Sequence, residues 1–291
     1  MANPTQRLIE NVEGNFYVDV RCINCDACRQ LAPASFAEAG DYSAVTRQPV
    51  TSREIREAYH ALLACPTGAI GTIQGDKGAL DAARADFPLP IAENVYYCGF
   101  NSEQSFGANS FFVRHPDGNW LIDSPRYLKH LVDAFDRLGG LSYMFLTHED
   151  DVADAARYAR RFGATRIIHR ADAHAMPEAE EIIEGLDEIV YRPEFRIIPV
   201  PGHTEGSLCL LYRDRFLFTG DHLWWEPDTR RLETPRQLVW NADALLRSCE
   251  RLARHPFEWV LAGHGGRIGL PQQDMRAAVE DLILRRQGVR T

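Results

Sequence analysis

The sequence predicts two domains, a compact α+β unit followed by a larger unit of mixed strands and helices, and three observations predict it. The chain has 291 residues with 45% hydrophobic content, about twice the commonest domain size of roughly 100 to 150 residues. Cys22, Cys25, Cys28 and Cys65 crowd into its first quarter. A stretch with Gly75, Asp76, Pro88 and Pro90 then separates this part from the rest. The expected boundaries are a tail at 1–14, a first domain at 15–75, a linker at 76–90 and a second domain at 91–291.

In the first domain, runs of apolar residues predict strands at 16–20 and 43–45, a turn or short helix at 33–36, and a helix at 52–64 with Ser52 as its N-cap. The second domain opens with strands at 95–97, 110–114 and 120–122, the last two joined by the turn Pro116-Asp117-Gly118. A helix at 127–138, a strand at 143–146, a helix from about 151 to 162 and a strand at 166–168 follow, an order that is mixed rather than all-β. A hairpin around Arg213-Asp214 joins 208–212 to 216–218. A helix at 242–252, a strand at 259–261 and a helix beyond Gln272 complete the pattern.

A net charge of -9 argues against nucleic acid or an acidic membrane as partner, since both select for clustered Lys and Arg. The first fifteen residues carry Glu10 and Glu13 and lack the apolar core of a signal peptide, and no run reaches the ~18 apolar residues of a membrane span. A cytoplasmic location is expected. Seven cysteines are an odd number, and with four in metal-ligand spacing a disulfide framework is not expected.

Cys22, Cys25 and Cys28 form C-x2-C-x2-C, a spacing that wraps three thiolates around one cluster. Ala32, ahead of Pro33, stands where two-cluster proteins carry a further cysteine, so the fourth ligand is the remote Cys65, followed by Pro66. In the triplet, Pro33, Phe36 and the ending Cys65-Pro66-Thr67-Gly68-Ala69-Ile70, residues 15–75 resemble the single-cluster bacterial ferredoxins. That resemblance implies an α+β ferredoxin-like domain with one [4Fe-4S] cluster. The alternative is a zinc knuckle made from the same thiolates, although zinc usually pairs two C-x2-C units. Cys98, Cys209 and Cys249 lie in apolar runs and are expected to be ordinary buried thiols.

Four separated motifs each place a polar residue just after an apolar strand: Thr147-His148-Glu149-Asp150, Pro201-Gly202-His203-Thr204, Thr219-Gly220-Asp221 and Gly263-His264-Gly265. Strand ends in an α/β scaffold are where loops converge on a metal. From about residue 91 onward the chain resembles the metallo-β-lactamase superfamily in these motifs and in the early strand ending Leu121-Ile122-Asp123. The resemblance implies an αββα sandwich with metal held along one edge, and leaves the substrate open.

The chain departs from the family's H-x-H-x-D-H signature. Asp150 stands at the second His, and Val152 and Ala153 stand at the Asp and last His; if the loop is two residues longer, Asp154 takes the Asp position and Ala155 that of the last His. Either way an imidazole is lost, and the expected centre is mononuclear, with His148, His203 and Asp221 as ligands. Asp150 is a candidate oxygen ligand, and His264 is either a ligand or a donor to one. Two His and a carboxylate form the facial arrangement of non-haem Fe(II) sites, the subset used by the persulfide dioxygenase branch, and an acidic residue at 150 is similar to the flavodiiron branch. Iron is the expected metal and zinc the alternative. Asp150, Asp151 and Asp154 also crowd the first turn of a helix, where negative charge complements the dipole, and that is the preferred reading of Asp151. His169, His174 and His222 are expected to be structural or solvated, and Trp224 and Trp225 to pack in the core or wall a pocket.

Three functions compete. An oxidoreductase would exchange electrons between the cluster and the second metal, supplied by a redox partner protein or a small reductant. A one-metal hydrolase would use Asp150 or Asp154 to orient or deprotonate water, with the cluster structural or regulatory. A non-catalytic carrier or sensor would keep the second domain as a metal-free docking module. The small-molecule substrate has no recognisable motif.

Overall fold

The computed structural model describes residues 2–288. The cysteine-bearing segment is built on two antiparallel strand pairs and two helices. β1 (Phe16–Val18) precedes α1 (Ala27–Leu31), β2 (Phe36–Ala39) and β3 (Tyr42–Val45), and then come α2 (Ser52–Ala64) and β4 (Ile70–Thr72). β1 pairs with β4 and β2 with β3. The expected turn at 33–36 is thus the run-in to β2, where Phe36 pairs with Val45. The N-cap of α2 is Thr51 rather than Ser52: Thr51 Oγ1 accepts from the Glu54 amide at 3.2 Å, and Glu54 Oε2 accepts from the Thr51 amide at 3.0 Å. This reciprocal capping box satisfies donors that Ser52, one residue inside the helix, does not reach.

The stretch expected as a linker is ordered structure. Asp76 accepts from the Ala79 amide at 2.9 Å and caps α3 (Lys77–Ala85). Asp86, just beyond α3, receives the Arg56 guanidinium and lies 2.6 Å from His60 Nε2, which ties α3 to α2. Phe87 then packs against His60 and Phe100.

Beyond it, β5 (Leu89–Ala92), β6 (Val95–Tyr97), β7 (Phe111–Val113) and β8 (Trp120–Ile122) run antiparallel. α4 (Lys129–Arg137), β9 (Tyr143–Phe145), α5 (Ala155–Phe162), β10 (Thr165–His169) and β11 (Glu181–Ile183) extend the sheet in parallel, in the order β11-β10-β9-β8-β7-β6-β5. β12 (Ile189–Arg192), β13 (Phe195–Pro199), β14 (Leu208–Tyr212) and β15 (Phe216–Gly220) start the second sheet. A small pair, β16 (Trp224–Glu226) and β17 (Arg231–Glu233), follows, then α6 (Ala242–Leu252), β18 (Trp259–Ala262), β19 (Ile268–Gly269) and α7 (Gln272–Arg286). The second sheet reads β12-β13-β14-β15-β18-β19. The stretch from β11 to β13 is absent from the sequence expectation, because the short edge strands β11 and β12 are half-exposed and interleave charge with apolar residues.

Alternation along each strand sorts side chains into layers. Phe111 of β7 faces Phe218 of β15 with ring centroids 5.5 Å apart, and Trp120 of β8 stacks on Phe195 of β13 at 4.2 Å, so the sheets pack face to face. Phe112 points the other way and stacks on Phe135 of α4 at 5.1 Å. On the far face of the second sheet, Cys209, Leu211, Leu217 and Val260 pack against Leu252 of α6 and Met275, Val279 and Leu282 of α7. The result is an αββα sandwich. One hydrophobic core runs without a break from Phe16, Val18 and Phe36 through Ala83 and Phe87 into the space between the sheets. Among the described residues, no helix is long and apolar enough to cross a membrane.

Phe112 is fully buried between the first sheet and α4. Phe112→Ala is expected to lower the unfolding free energy by about 3–5 kcal/mol, read as a lower urea midpoint by far-UV circular dichroism.

Candidate functional site

The histidines and aspartates converge at one edge of the sandwich, and each is aimed by a neighbour. Asp123, at the end of β8, accepts from the Thr147 amide at 2.8 Å and from Thr147 Oγ1 at 3.0 Å. Having given its proton to Asp123, the Thr147 hydroxyl accepts from His148 Nδ1–H at 3.0 Å, which leaves the Nε2 lone pair of His148 free. Asp172 ties a second loop to this one. Its Oδ2 accepts from Thr204 Oγ1 at 2.6 Å and the Glu149 amide at 3.2 Å, while Oδ1 accepts from the Gly206 amide at 3.0 Å. His203 is thereby held opposite His148. Gly220, at the end of β15, has φ +49°, and a Cβ there would lie 2.5 Å from Thr147 Oγ1. Glycine lets Asp221 follow directly in the gap between the two strand ends.

The resulting atoms form two groups. His148, His203 and Asp221 each offer a ligand atom within 4.8 Å of the others, and so do Asp151, Asp221 and His264. Asp221 Oδ2 lies 3.8 Å from Nε2 of both His148 and His203, and Asp221 Oδ1 lies 2.8 Å from His264 Nδ1. Asp150 Oδ2 stands 3.4 Å from His203 Nε2 and 3.7 Å from His148 Nε2. Nε2 of His148, His203 and His264 and both carboxylate oxygens of Asp151 are buried with no hydrogen-bond partner. Buried polar groups are rarely left unpaired, and imidazole and carboxylate are a suitable donor set for a divalent transition metal.

Charge follows the same grouping. Burial alone would raise the Asp221 pKa, but His264 beside it and the other two imidazoles hold it well below the usual carboxylate range. Burial would lower His264, yet the Asp221 carboxylate carries it up to about 10. Burial pushes His148 down and Asp151 well up. The His203 imidazole beside it holds Asp150 below its ordinary value.

Two expectations change. Asp151 is fully buried against Asp221 and His264 rather than lying at a helix surface; a 3-10 turn over Glu149–Asp151 swings it inward. It completes a second group of possible ligands around the shared Asp221. Asp154 is not brought to the site: its Oδ2 accepts from the Tyr127 amide at 2.8 Å and its Oδ1 from Arg157 at 3.2 Å. Asp172 was missed by sequence reasoning, which had no signal for a carboxylate in an irregular 3-10 segment. His169 bonds the Gly185 carbonyl at 3.0 Å, His174 pairs with Glu149 at 2.9 Å, and His222 is buried, which pushes it down to about 3. Trp224 lines the cavity over the site, and Trp225 packs on the outer core.

Cys22, Cys25, Cys28 and Cys65 line one small cavity with Val18, Ile23 and Ile70. Each C-x2-C step turns through a left-handed residue, Asn24 at φ 55° and Asp26 at φ 61°, types that tolerate that conformation. Amides of Asn24 and Ser43 point at Cys22 Sγ from 3.4 Å, and the Ala69 amide at Cys65 Sγ from 3.2 Å. Burial pushes the Cys25 thiol up to about 12 and Cys28 higher still. Among the described residues, no three cysteine sulfurs lie within 4.8 Å of one another.

The two centres adjoin. Gln30 Nε2 donates to the Gly265 carbonyl at 2.8 Å, next to His264. Arg126 Nη2 donates to the carbonyls of Leu63 and Cys65, both at 3.2 Å. A Cβ on Gly107 would come within 2.7 Å of the Cys25 Cβ. Asn101 and Asn109 pin that loop, the first donating to the Gly107 carbonyl at 2.7 Å and the second to the Ala262 carbonyl at 3.1 Å.

Residues 18–72 match the family model described as the 4Fe-4S single cluster domain of Ferredoxin I, and residues 92–276 match that of the metallo-beta-lactamase superfamily. The chain is 31% identical over 160 residues to a hydroxyacylglutathione hydrolase of Acidiphilium cryptum (strain JF-5), over 53% of this chain and 63% of that one. It is 32% identical over 163 residues to one of Cereibacter sphaeroides (strain ATCC 17029 / ATH 2.4.9), over 54% and 62%. The chain thus spans less than two thirds of the length of these relatives. A solved metallo-beta-lactamase family protein from Thermus thermophilus matches with a TM-score of 0.49 and 17% identity, over 68% of this chain and 81% of that one.

Gly220→Ala is expected to cost at least about 1–2 kcal/mol from the left-handed backbone alone, and more from the clash with Thr147. Guanidinium unfolding of the variant beside wild type measures it.

Proposed function

Because the chain belongs to the metallo-β-lactamase superfamily, we propose that it is a metal-dependent hydrolase whose two metal positions share Asp221, beside a [4Fe-4S] cluster held by Cys22, Cys25, Cys28 and Cys65. The observation that carries the hydrolase reading is the pair of ligand groups meeting at one carboxylate, an arrangement suited to clamping both oxygens of a displacement. His148, His203, Asp221 and Asp150 would hold one ion, and Asp151, Asp221 and His264 the other. Metal bound there would polarise a carbonyl oxygen and make water acidic enough to attack near neutral pH. Water adds to the acyl carbon, the acyl–heteroatom bond breaks, and the leaving group departs with a proton. Thr147 and Asp172 keep the two imidazoles aimed throughout. The similarity to hydroxyacylglutathione hydrolases supports acyl transfer to water as the reaction class, with a thioester as the first substrate to try.

For the cysteines, the match of residues 18–72 to a 4Fe-4S single cluster domain favours a cluster over zinc. Backbone amides aimed at sulfur are also one of the means by which a protein tunes a cluster's potential.

A second reading is favoured by the contact between the centres. With Gln30 bonded to the residue after His264, and Gly107 against Cys25, the cluster would be placed to exchange electrons with a redox metal, and three carboxylates among six ligands suit iron. On this reading the protein is an oxidoreductase served by a reductant or a redox partner protein.

Anaerobically purified protein is expected to contain four cluster irons plus up to two further metal ions. His203→Ala and His264→Ala should each lose about one of the latter, and His203→Ala should lower kcat/KM on a thioester by more than about 100-fold. Cys65→Ser should lose cluster iron and sulfide. Thioester turnover that is unchanged when the cluster is reduced supports the hydrolase; no turnover without a reductant, with activity following the cluster's EPR signal, would overturn it in favour of the second reading.

A further inference from the structure

Above the paired ligand groups opens a cavity of about 880 Å³, and its wall carries information on what it admits. Part of the wall is apolar, from Phe106, Trp224, Pro235 and Leu238. Phe106 and Leu238 are 62% and 86% exposed at its rim. Large apolar side chains left in water around a concave polar site are surface that a ligand covers.

Outside the proposed ligand groups, the charged part of the wall is of one sign. Besides the ligand carboxylates, Glu103 and Glu149 line the cavity, and no Lys or Arg among the described residues does. Among the described residues, Glu149 forms an ion pair only with His174, at 2.9 Å. Arg236, adjacent to the wall in sequence, reaches Glu233 at 3.7 Å instead. A cleft lined by one sign of charge and walled by low-dielectric side chains focuses its potential onto whatever enters. An S-acyl conjugate of glutathione carries two carboxylates away from the scissile bond, and this wall offers neither a cationic partner.

We infer that the site takes a substrate whose body beyond the reacting group is apolar and neutral or cationic, and that it rejects bodies bearing carboxylates. The inference rests on the hydrolase reading for the bond that is cleaved, whereas the selection is made by Phe106, Leu238, Glu103 and Glu149, none of which is among the proposed ligands. Phe106 and Leu238 would cover the apolar body, and the two glutamates would set the sign of charge.

The test separates selection from chemistry by using inert probes that share one metal-binding head. Three phenylacetohydroxamic acids differing only at the para position, with methyl, trimethylammonium or carboxylate, are titrated into the full-length Mn²⁺-loaded protein by calorimetry. The methyl and trimethylammonium probes are expected to bind at least about tenfold more tightly than the carboxylate. In the Glu103→Gln/Glu149→Gln double variant, checked for unchanged folding by circular dichroism, that ratio should shrink at least threefold. Equal or tighter binding of the carboxylate probe, a ratio unmoved in the double variant, or no binding by any probe overturns the inference. Thioesters with the same three tails are assayed in parallel. If the hydroxamates discriminate as expected and no thioester is cleaved, the hydrolase reading fails and the charge selection stands; if all three thioesters are cleaved and the hydroxamates do not discriminate, the reverse holds.

Discussion

The edge of this sandwich is organised around one carboxylate. Asp221 lies between His148 and His203 on one side and His264 on the other, close to the buried carboxylate of Asp151. Two anions so far withdrawn from water are tolerated only where opposite charge and aligned donors compensate their lost hydration. Much of the local architecture serves that balance. Gly220 lets Asp221 sit directly at the strand end, Thr147 turns one imidazole toward it, and Asp172 closes a loop so that another faces it. The unpaired ring nitrogens and the Asp151 oxygens mark how far the protein groups alone go toward neutralising one another.

Reading the sequence worked where a physical rule is local and failed where tertiary contacts decide. Cys22, Cys25 and Cys28 sit at a spacing set by the loop, and Cys65 is recognisable from the proline that ends α2. The strand-end positions of His148, His203, Asp221 and His264 were likewise legible, since each follows an apolar run. Asp151 was misjudged because surface acids at a helix start look the same in sequence as an inward-turned carboxylate; only the 3-10 turn distinguishes them. Asp154 failed for the converse reason, being taken up by a neighbouring amide and arginine. In the fold, most of the buried strands and helices of the second domain matched, while β13 was missed together with β11 and β12, whose charge pattern is that of loops. The presumed linker was missed because Asp76 and the turn of α3 were read as polar punctuation.

The continuity of the core bears on how the two cofactor-binding parts relate. Inter-domain contacts are commonly polar and modest in area, whereas here residues of the cysteine-bearing segment, Ala83, Phe87 and the residues between the sheets all belong to one apolar cluster. Arg126 adds a polar tie by donating to the carbonyl of Cys65 itself. A change in packing on either side is therefore felt by the other.

The loop over residues 102–107 has Phe106 in the wall of the cavity over the His and Asp groups and Gly107 pressed against Cys25. Its two faces belong to different sites but to one piece of backbone, pinned by Asn101 and Asn109. That makes the architecture non-modular. Grafting the cysteine segment onto another sandwich of this family would bring the thiols without the surface they rest on, and lengthening the loop to widen the cavity would lift the cover from Cys25. A substitution in this loop is therefore felt at both sites at once.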